Sequence, residues 1–290
     1  MTLLLLLGCQ SIDLSDEWDL DRLRLLAIRA EPAEPRPGDS VTFTSLGYVP
    51  GGAAWTSVWF ACVAGTDLGC SFDPSVLDGL DDLASMTPEE QAEVFAALQA
   101  AGLIGFEPGL APAWTVPEDA LAGLTEAESL EGTSATVQVT LTTAAAEEEG
   151  DTELVLRAIP ISLAPTPNQN PDVSAFEIDG TALAAGVAFT AEAGRAYDLK
   201  ATIAGELEEY AYVSTEGVEE TRTEELSWRW YTDMGTLGGA VDVDLGEDEE
   251  PTSDTIAWTA SEEGGTGVLH AVVLDGRGGM AWWSVAVTVE

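Results

Sequence analysis

The sequence predicts an all-β chain folded as two β-sandwiches in tandem, the first carrying a helical insertion. Three observations carry that prediction. Short apolar–polar alternations recur along the 290 residues, turn residues separate them, and one proline-asparagine stretch divides them into two sets.

The first set opens with a strand at residues 23–30. Glu31-Pro32 through Pro37-Gly38 forbids helix and reads as an edge or a kink where the chain changes sheets. Val41-Thr42-Phe43-Thr44 alternates as a half-buried strand, and residues 55–63 form another, with Trp55, Ser57, Trp59 and Ala61 on one face. The pattern then turns helical. Thr87-Pro88-Glu89-Glu90 offers a capping hydroxyl, a proline at the first helical position and a glutamate three residues after the cap. An apolar stripe of Val94, Phe95 and Leu98 continues the helix, and Gly102 stops it; a weaker helical turn at 75–83 precedes it. Strands return at 135–142 and 153–163, on either side of an acidic turn at 147–151.

Pro165-Thr166-Pro167-Asn168-Gln169-Asn170-Pro171 is a linker, because its prolines suit neither helix nor central strand. It separates a first sandwich at 22–164, with the insertion at about 73–104, from a second at 172–290. The second set has strands at 173–178, 187–191, 196–203, 226–231, 255–259, 268–274 and 281–289, with turns at Asp179-Gly180 and Asp275-Gly276-Arg277-Gly278-Gly279. The halves read as copies: each opens with a strand, passes through a Trp-rich one (Trp55 and Trp59; Trp228 and Trp230) and ends in a long hairpin. Between Trp59 and Leu163 the first copy holds 45 more positions than the second does between Trp230 and Val289, about where the helix falls. The helix is therefore an insertion at one end of the first sandwich, either a lid or a plug.

Charge narrows the partners. With 10 Lys+Arg against 52 Asp+Glu the net charge is −42, and the 46% hydrophobic content is ample for two cores. Nucleic acid and anionic headgroups are repelled, since binding either needs cationic side chains. Such a balance suits a protein outside the cytoplasm, where salt and divalent ions screen self-repulsion.

At the N-terminus Leu3 to Leu7 form an apolar run that ends in Gly8 and Cys9. Leu6-Leu7-Gly8-Cys9 resembles the lipobox of bacterial lipoproteins, which implies cleavage before Cys9 and its lipidation. Residues 1–9 are then the remnant of a signal peptide, and 10–21 an acidic tether. Met1 and Thr2 carry no basic group and only five leucines follow, so we expect the start codon to lie upstream. The resemblance, with Gln10 and Ser11 rather than Asp after the cysteine, implies an outer-membrane lipoprotein facing the periplasm or the cell surface. Elsewhere no stretch approaches the roughly 20 apolar residues of a membrane span.

Two cysteines remain, Cys62 and Cys70, flanking Gly65 and Gly69 at a spacing that lets a small loop close as a disulfide in an oxidising compartment. A metal site is the rival, but two thiols and the one histidine, His270, fall short of four zinc ligands. Nucleophilic catalysis needs a base, and His270 sits in an alternating strand where a structural imidazole is the expected role. The glycines around Arg277 read as turn residues rather than a phosphate loop. Asp242, Asp244, Glu247, Asp248 and Asp254 lie close enough in sequence to offer oxygens to calcium, although the EF-hand glycine is missing; a solvated acidic loop is the alternative. Trp282 and Trp283 must point to opposite faces of one strand, and an exposed ring beside Tyr231 would stack on sugar or on a partner protein.

The Trp-containing third strands, the Asn-Pro linker and the terminal Leu269-His270-Ala271-Val272-Val273-Leu274-Asp275-Gly276-Arg277-Gly278-Gly279 segment resemble immunoglobulin-like or PKD-like domains of bacterial surface lipoproteins. The resemblance covers most of 172–290 and, more loosely, 22–164. It implies tandem immunoglobulin-like sandwiches used as spacers or adhesive modules, and no specific activity. We therefore expect no enzyme and no cofactor beyond calcium, in a lipid-anchored structural or interaction module. Its partners would be the membrane, through the anchor, and an envelope protein or polysaccharide. The alternatives are a carbohydrate- or protein-binding adhesin stiffened by calcium and, more distantly, a hydrolase with convergent carboxylates.

Overall fold

The computed structural model describes residues 18–63, 86–100, 102–105, 112–143, 152–213, 219–238 and 254–290. The expected helical turn at 75–83 and the acidic turn at 147–151 lie outside them. The first sandwich packs a three-stranded sheet, β1 (Arg24–Glu31), β2 (Ser40–Tyr48) and β5 (Ala113–Thr115), against a four-stranded one. That second sheet has the order β4-β3-β6-β7, from β3 (Trp55–Val63), β4 (Leu103–Gly105), β6 (Thr133–Thr143) and β7 (Thr152–Ile161). Strand β6 shows why the alternation is decisive. Ala135, Val137, Val139 and Leu141 are fully buried while the residues between them are half-exposed, so a slip of one position would turn the whole set outward. Val41, Phe43 and Ile159 complete this core, with Trp59 stacked on Phe43 and its indole N–H donated to Ser57 Oγ at 2.9 Å.

The inserted helix α1 (Pro88–Ala100) begins at the expected cap: the Thr87 amide donates to Glu90 Oε2 at 2.8 Å, and the Glu90 amide donates back to Thr87 Oγ1 at 3.4 Å. Next comes Gly102 at φ +97°, where a Cβ would sit 2.8 Å from the Ala61 carbonyl oxygen. The helix is a plug. Leu98 is buried against Phe60 and Leu103, with Val94 beside them; the side chain of Phe95 lies outside the described residues. A second short helix, α2 (Glu126–Glu131), carries a capping box of its own, Thr125 with Glu128.

The second sandwich packs the order β15-β16-β11-β8-β9 on the order β10-β18-β17-β14. The first sheet is built from β8 (Val173–Ile178), β9 (Thr181–Leu183), β11 (Ala196–Ile203), β15 (Thr236–Gly238) and β16 (Thr255–Thr259). The second uses β10 (Phe189–Ala191), β14 (Ser227–Thr232), β17 (Gly265–Leu274) and β18 (Met280–Val289). A separate hairpin, β12 (Glu209–Val213) and β13 (Glu219–Thr223), projects between β11 and β14. Without the additions β9 and β10, the two sheets keep the ABED and CFG strand orders of a constant-type immunoglobulin domain. Trp258, Phe176, Leu199 and Leu269 fill the core, and Trp228 and Trp230 are buried with them.

The halves share a frame; beyond the helices of the first and the added β9, β10 and β12–β13 of the second, they differ in where one short strand pairs. In the first, the short β4 pairs with the Trp-bearing β3; in the second, β15 has crossed to the opposite sheet and pairs with β16. Both domains are immunoglobulin-like β-sandwiches, the first with its helical insertion.

Candidate functional site

The most heavily constructed region outside the two cores is the joint between them. It begins with β1, whose Leu25, Leu26, Ala27 and Ile28 are buried in succession. A strand covered on one face alternates; a strand covered on both faces does not. Leu23, Leu25, Ile28 and Ala30 belong to the first core, while Leu26 and Ala27 turn to the second sandwich and meet Tyr231, Val272 and Met280, the register slipping between Leu25 and Ala27. Leu20 completes this third apolar cluster, at 2% exposure. Each buried Leu, Val or Met side chain of the cluster contributes about 1.5–3 kcal/mol relative to standing in water.

The N-terminal approach is part of the joint. Residues 18–20 fall within the expected tether, and the chain there crosses both bodies within six positions. Trp18 packs on the second core, Leu20 lies in the joint, and Leu23 enters the first core. The Leu20 amide donates to the Thr232 carbonyl and the Thr232 amide to the Trp18 carbonyl, each at 3.1 Å, forming a parallel bridge from Asp19 to the end of β14.

The linker supplies the polar half. Asn168 is 2% exposed: its amide donates to Glu34 Oε2 of the first sandwich at 2.6 Å, and its Nδ2 to Asp275 Oδ2 of the second at 2.9 Å. Asn170 makes the same bridge, donating from Nδ2 to the Ala30 carbonyl at 2.7 Å and accepting at Oδ1 from the Met280 amide at 2.9 Å. From β7, Arg157 donates to the Gly278 carbonyl at 2.9 Å, and from β2 the Tyr48 hydroxyl donates to Asp233 Oδ2 at the same distance. Burial, with that bond to Asp233 second, raises the Tyr48 phenol above its ordinary value.

At the centre stands Arg277. Its guanidinium reaches Glu224 Oε1 at 3.1 Å, Glu34 Oε2 at 3.5 Å and Glu208 Oε2 at 3.6 Å, and lies 4.3 Å above the Tyr210 ring centroid. The glycines around it serve this approach as well as the turn. A Cβ on Gly278 would strike Pro160 at 2.7 Å, and one on Gly279 would strike Gln169 O at 2.7 Å. Glu224 is one of two buried acids here, at 7% exposure beside Asp275 at 2%. Burial first, then repulsion from Asp275 and Glu208, pushes its carboxyl up to about 7 despite the attraction of Arg277.

The residues singled out in the sequence fall as follows. Cys9, Cys70, Asp242, Asp244, Glu247 and Asp248 lie outside the described residues. Cys62 is on β3, with Sγ 3.7 Å from the Thr136 carbonyl oxygen. Asp254 stands just before β16, 3.8 Å from Lys200 Nζ. Among the described residues there is no group of three or more His, Cys, Asp or Glu placed to hold a metal. Trp282 and Trp283 do point to opposite faces: Trp283 packs on the second core, and Trp282 lies with Tyr231 in the joint. Tyr231, at 7% exposure, is therefore a joint residue and not an open stacking platform. His270 is also buried, with Nδ1 2.8 Å from Ser284 Oγ, and burial holds its imidazole down to about 4. The joint itself was missed, because Asn168 and Arg277 read as linker and turn.

The sequence matches no protein-family model and no curated protein. Among solved structures it is similar to the fibronectin(III)-like modules of Clostridium thermocellum CbhA, at 8% identity over 92% of this chain and 94% of that one, with TM-score 0.24. It is also similar to three N-terminal domains of the bacteriophage RB49 outer capsid protein Hoc, at 13% identity over 92% and 59%, TM-score 0.22. A third is a putative membrane anchored protein from Corynebacterium diphtheriae, at 9% identity over 93% and 59%, TM-score 0.22. At scores of this size the fold assignment stands on the strand orders described above. Among the described residues no helix is long and apolar enough to cross a membrane.

Proposed function

We propose that this chain is a lipid-anchored structural or interaction module of the cell envelope, tethered through an acylated Cys9 to the outer membrane and performing no catalysis. The observation that supports the reading is the joint: a strap, a bracketed linker and an apolar seam tie two immunoglobulin-like sandwiches to one another. An apolar interface of this kind opposes relative domain motion, which suits a spacer or presenting scaffold. The burial of His270 removes the one imidazole from nucleophilic chemistry. The anchor is tested by expressing the chain behind a complete lipoprotein signal peptide joined at Cys9, with labelled palmitate. Label should enter the wild type and follow the outer-membrane fraction, and Cys9→Ala should lose both; an unlabelled wild type defeats the anchor. Closure of Cys62 on Cys70 is tested by alkylation, which should modify neither thiol until a reductant is added.

A second reading, a protein-binding adhesin, is favoured by one observation. Leu154 and Leu156, at 58% and 63% exposure, stand on β7, which ends its sheet among the described residues, and an edge strand is where a further strand can pair. Calcium stiffening through Asp242, Asp244, Glu247, Asp248 and Asp254 belongs to the same reading. It predicts a melting temperature that rises with calcium and returns with EDTA.

A further inference from the structure

The four-stranded sheet of the first sandwich departs from the rest of the chain in charge. Charged residues make up 21% of the whole sequence, yet in β3, β4, β6 and β7 only Glu153 and Arg157 are charged. The register sets these two opposite the buried Leu141 and Val137, which places both on the inner face. There Glu153 accepts from the Leu25 amide, and Arg157 donates to the Gly278 carbonyl. The outer face of these strands is left without a charge. On it Gln138 and Thr140 of β6 lie opposite Leu156 and Leu154 of β7. Helix α1 stands on the β3 side of this face, where Val94 and Leu98 pack on Val58 and Phe60. The two leucines of β7 stay bare, although a solvated sheet face ordinarily turns polar residues outward.

We propose that this face is where two copies of the chain meet, sheet against sheet about a two-fold axis, with Leu154 and Leu156 of each packed on the β6–β7 face of the other. Charge selects the occupant. Each copy carries −42, and acids buried against acids are strongly unfavourable, so two copies can close only where neither presents one. A two-fold contact sets one patch against itself, and the outer face of β6 and β7 meets that condition from both sides. A basic partner would instead be drawn to the acidic surface elsewhere and gains no attraction from a neutral face. With α1 occupying the β3 side, the contact is confined to two strands, and a contact that small is weak. Repulsion between the two acidic bodies, including the exposed Glu89, Glu90 and Glu93 of α1, opposes it. Salt screens that repulsion without weakening an uncharged contact, so salt should tighten the pair. The inference rests on the protein-binding reading of the two leucines and names their partner; it needs no free strand edge.

Sedimentation velocity on the full chain tests this. The wild type should show a monomer–dimer equilibrium whose Kd falls at least about threefold between about 0.05 M and about 0.5 M sodium chloride. Leu156→Glu, at a position too exposed for the fold to depend on it, should raise Kd at least about tenfold, and Leu154→Glu should act alike. Leu207→Glu, at an exposed leucine of the second sandwich, should leave Kd unchanged. A wild type that stays monomeric up to about 0.5 mM at every salt concentration overturns the proposal. So does a dimer that both leucine variants leave intact. A monomeric wild type that binds an envelope protein, and loses it in Leu156→Glu, overturns the second copy as partner while the protein-binding reading stands.

Discussion

At the scale of single residues, the buried polar groups carry the clearest consequences. Asn168 bonds to both sandwiches while almost wholly out of water, so Asn168→Ala leaves Glu34 and Asp275 each short of a donor. The expected loss is about 2 kcal/mol in urea unfolding, against a few tenths at an exposed asparagine. Arg277→Ala should cost at least as much, since three carboxylates would share the seam without their cation, and Arg277→Lys should recover part of the loss without the fork geometry. His270 has the opposite sign from Glu224. Its folded value of about 4 lies below the ordinary 6.5, so the folded chain binds fewer protons than the unfolded one between them. The stability from this neutral imidazole is complete above about pH 6.5 and is lost as the pH falls toward 4, on the order of 3 kcal/mol in all. His270→Gln should remove that acid slope from the pH dependence of the urea midpoint; an unchanged slope would place the cause elsewhere.

Among the elements, α1 is the most separable. Among its described side chains Leu98, 1% exposed, packs on the first sandwich with Val94 beside it, and its N-terminus is closed by Thr87. Leu98→Ala should cost about 2–4 kcal/mol and Thr87→Ala about 1 kcal/mol, read as faster proteolysis within the insertion before the sandwiches melt. Elements of this kind were legible in the sequence because their signals are local. The Thr87-Pro88-Glu90 cap marked one end of α1 and Gly102 the other, and strict alternation marked β6. The same cap pattern at Thr125 and Glu128 announces α2, and went unread because so short a helix has no apolar stripe to accompany it. Strands β4, β5, β9 and β15 are three residues each, too short to show a period. In β1 the failure was of another kind. Four apolar residues in succession reported a strand buried on both faces, but nothing near them in the sequence says that the second cover is another domain. The partners of Asn168 lie 134 and 107 positions away, a distance over which local pattern carries no information.

For the whole molecule, the joint couples two cores that would otherwise melt apart. Leu26, Tyr231, Val272 and Met280 would be bared if either sandwich unfolded alone, so calorimetry should show one transition for the described fold. Val272→Asp sets a charge in the apolar seam and should split that transition in two; two transitions in the wild type would mean that the seam does not couple the bodies. The strap at residues 18–20 has a mechanical meaning as well. It is stitched to Thr232 of the second sandwich before the chain enters the first. Tension arriving from the N-terminal side is therefore taken up at the waist of the molecule and divided between its two halves, and neither distal tip has to transmit it.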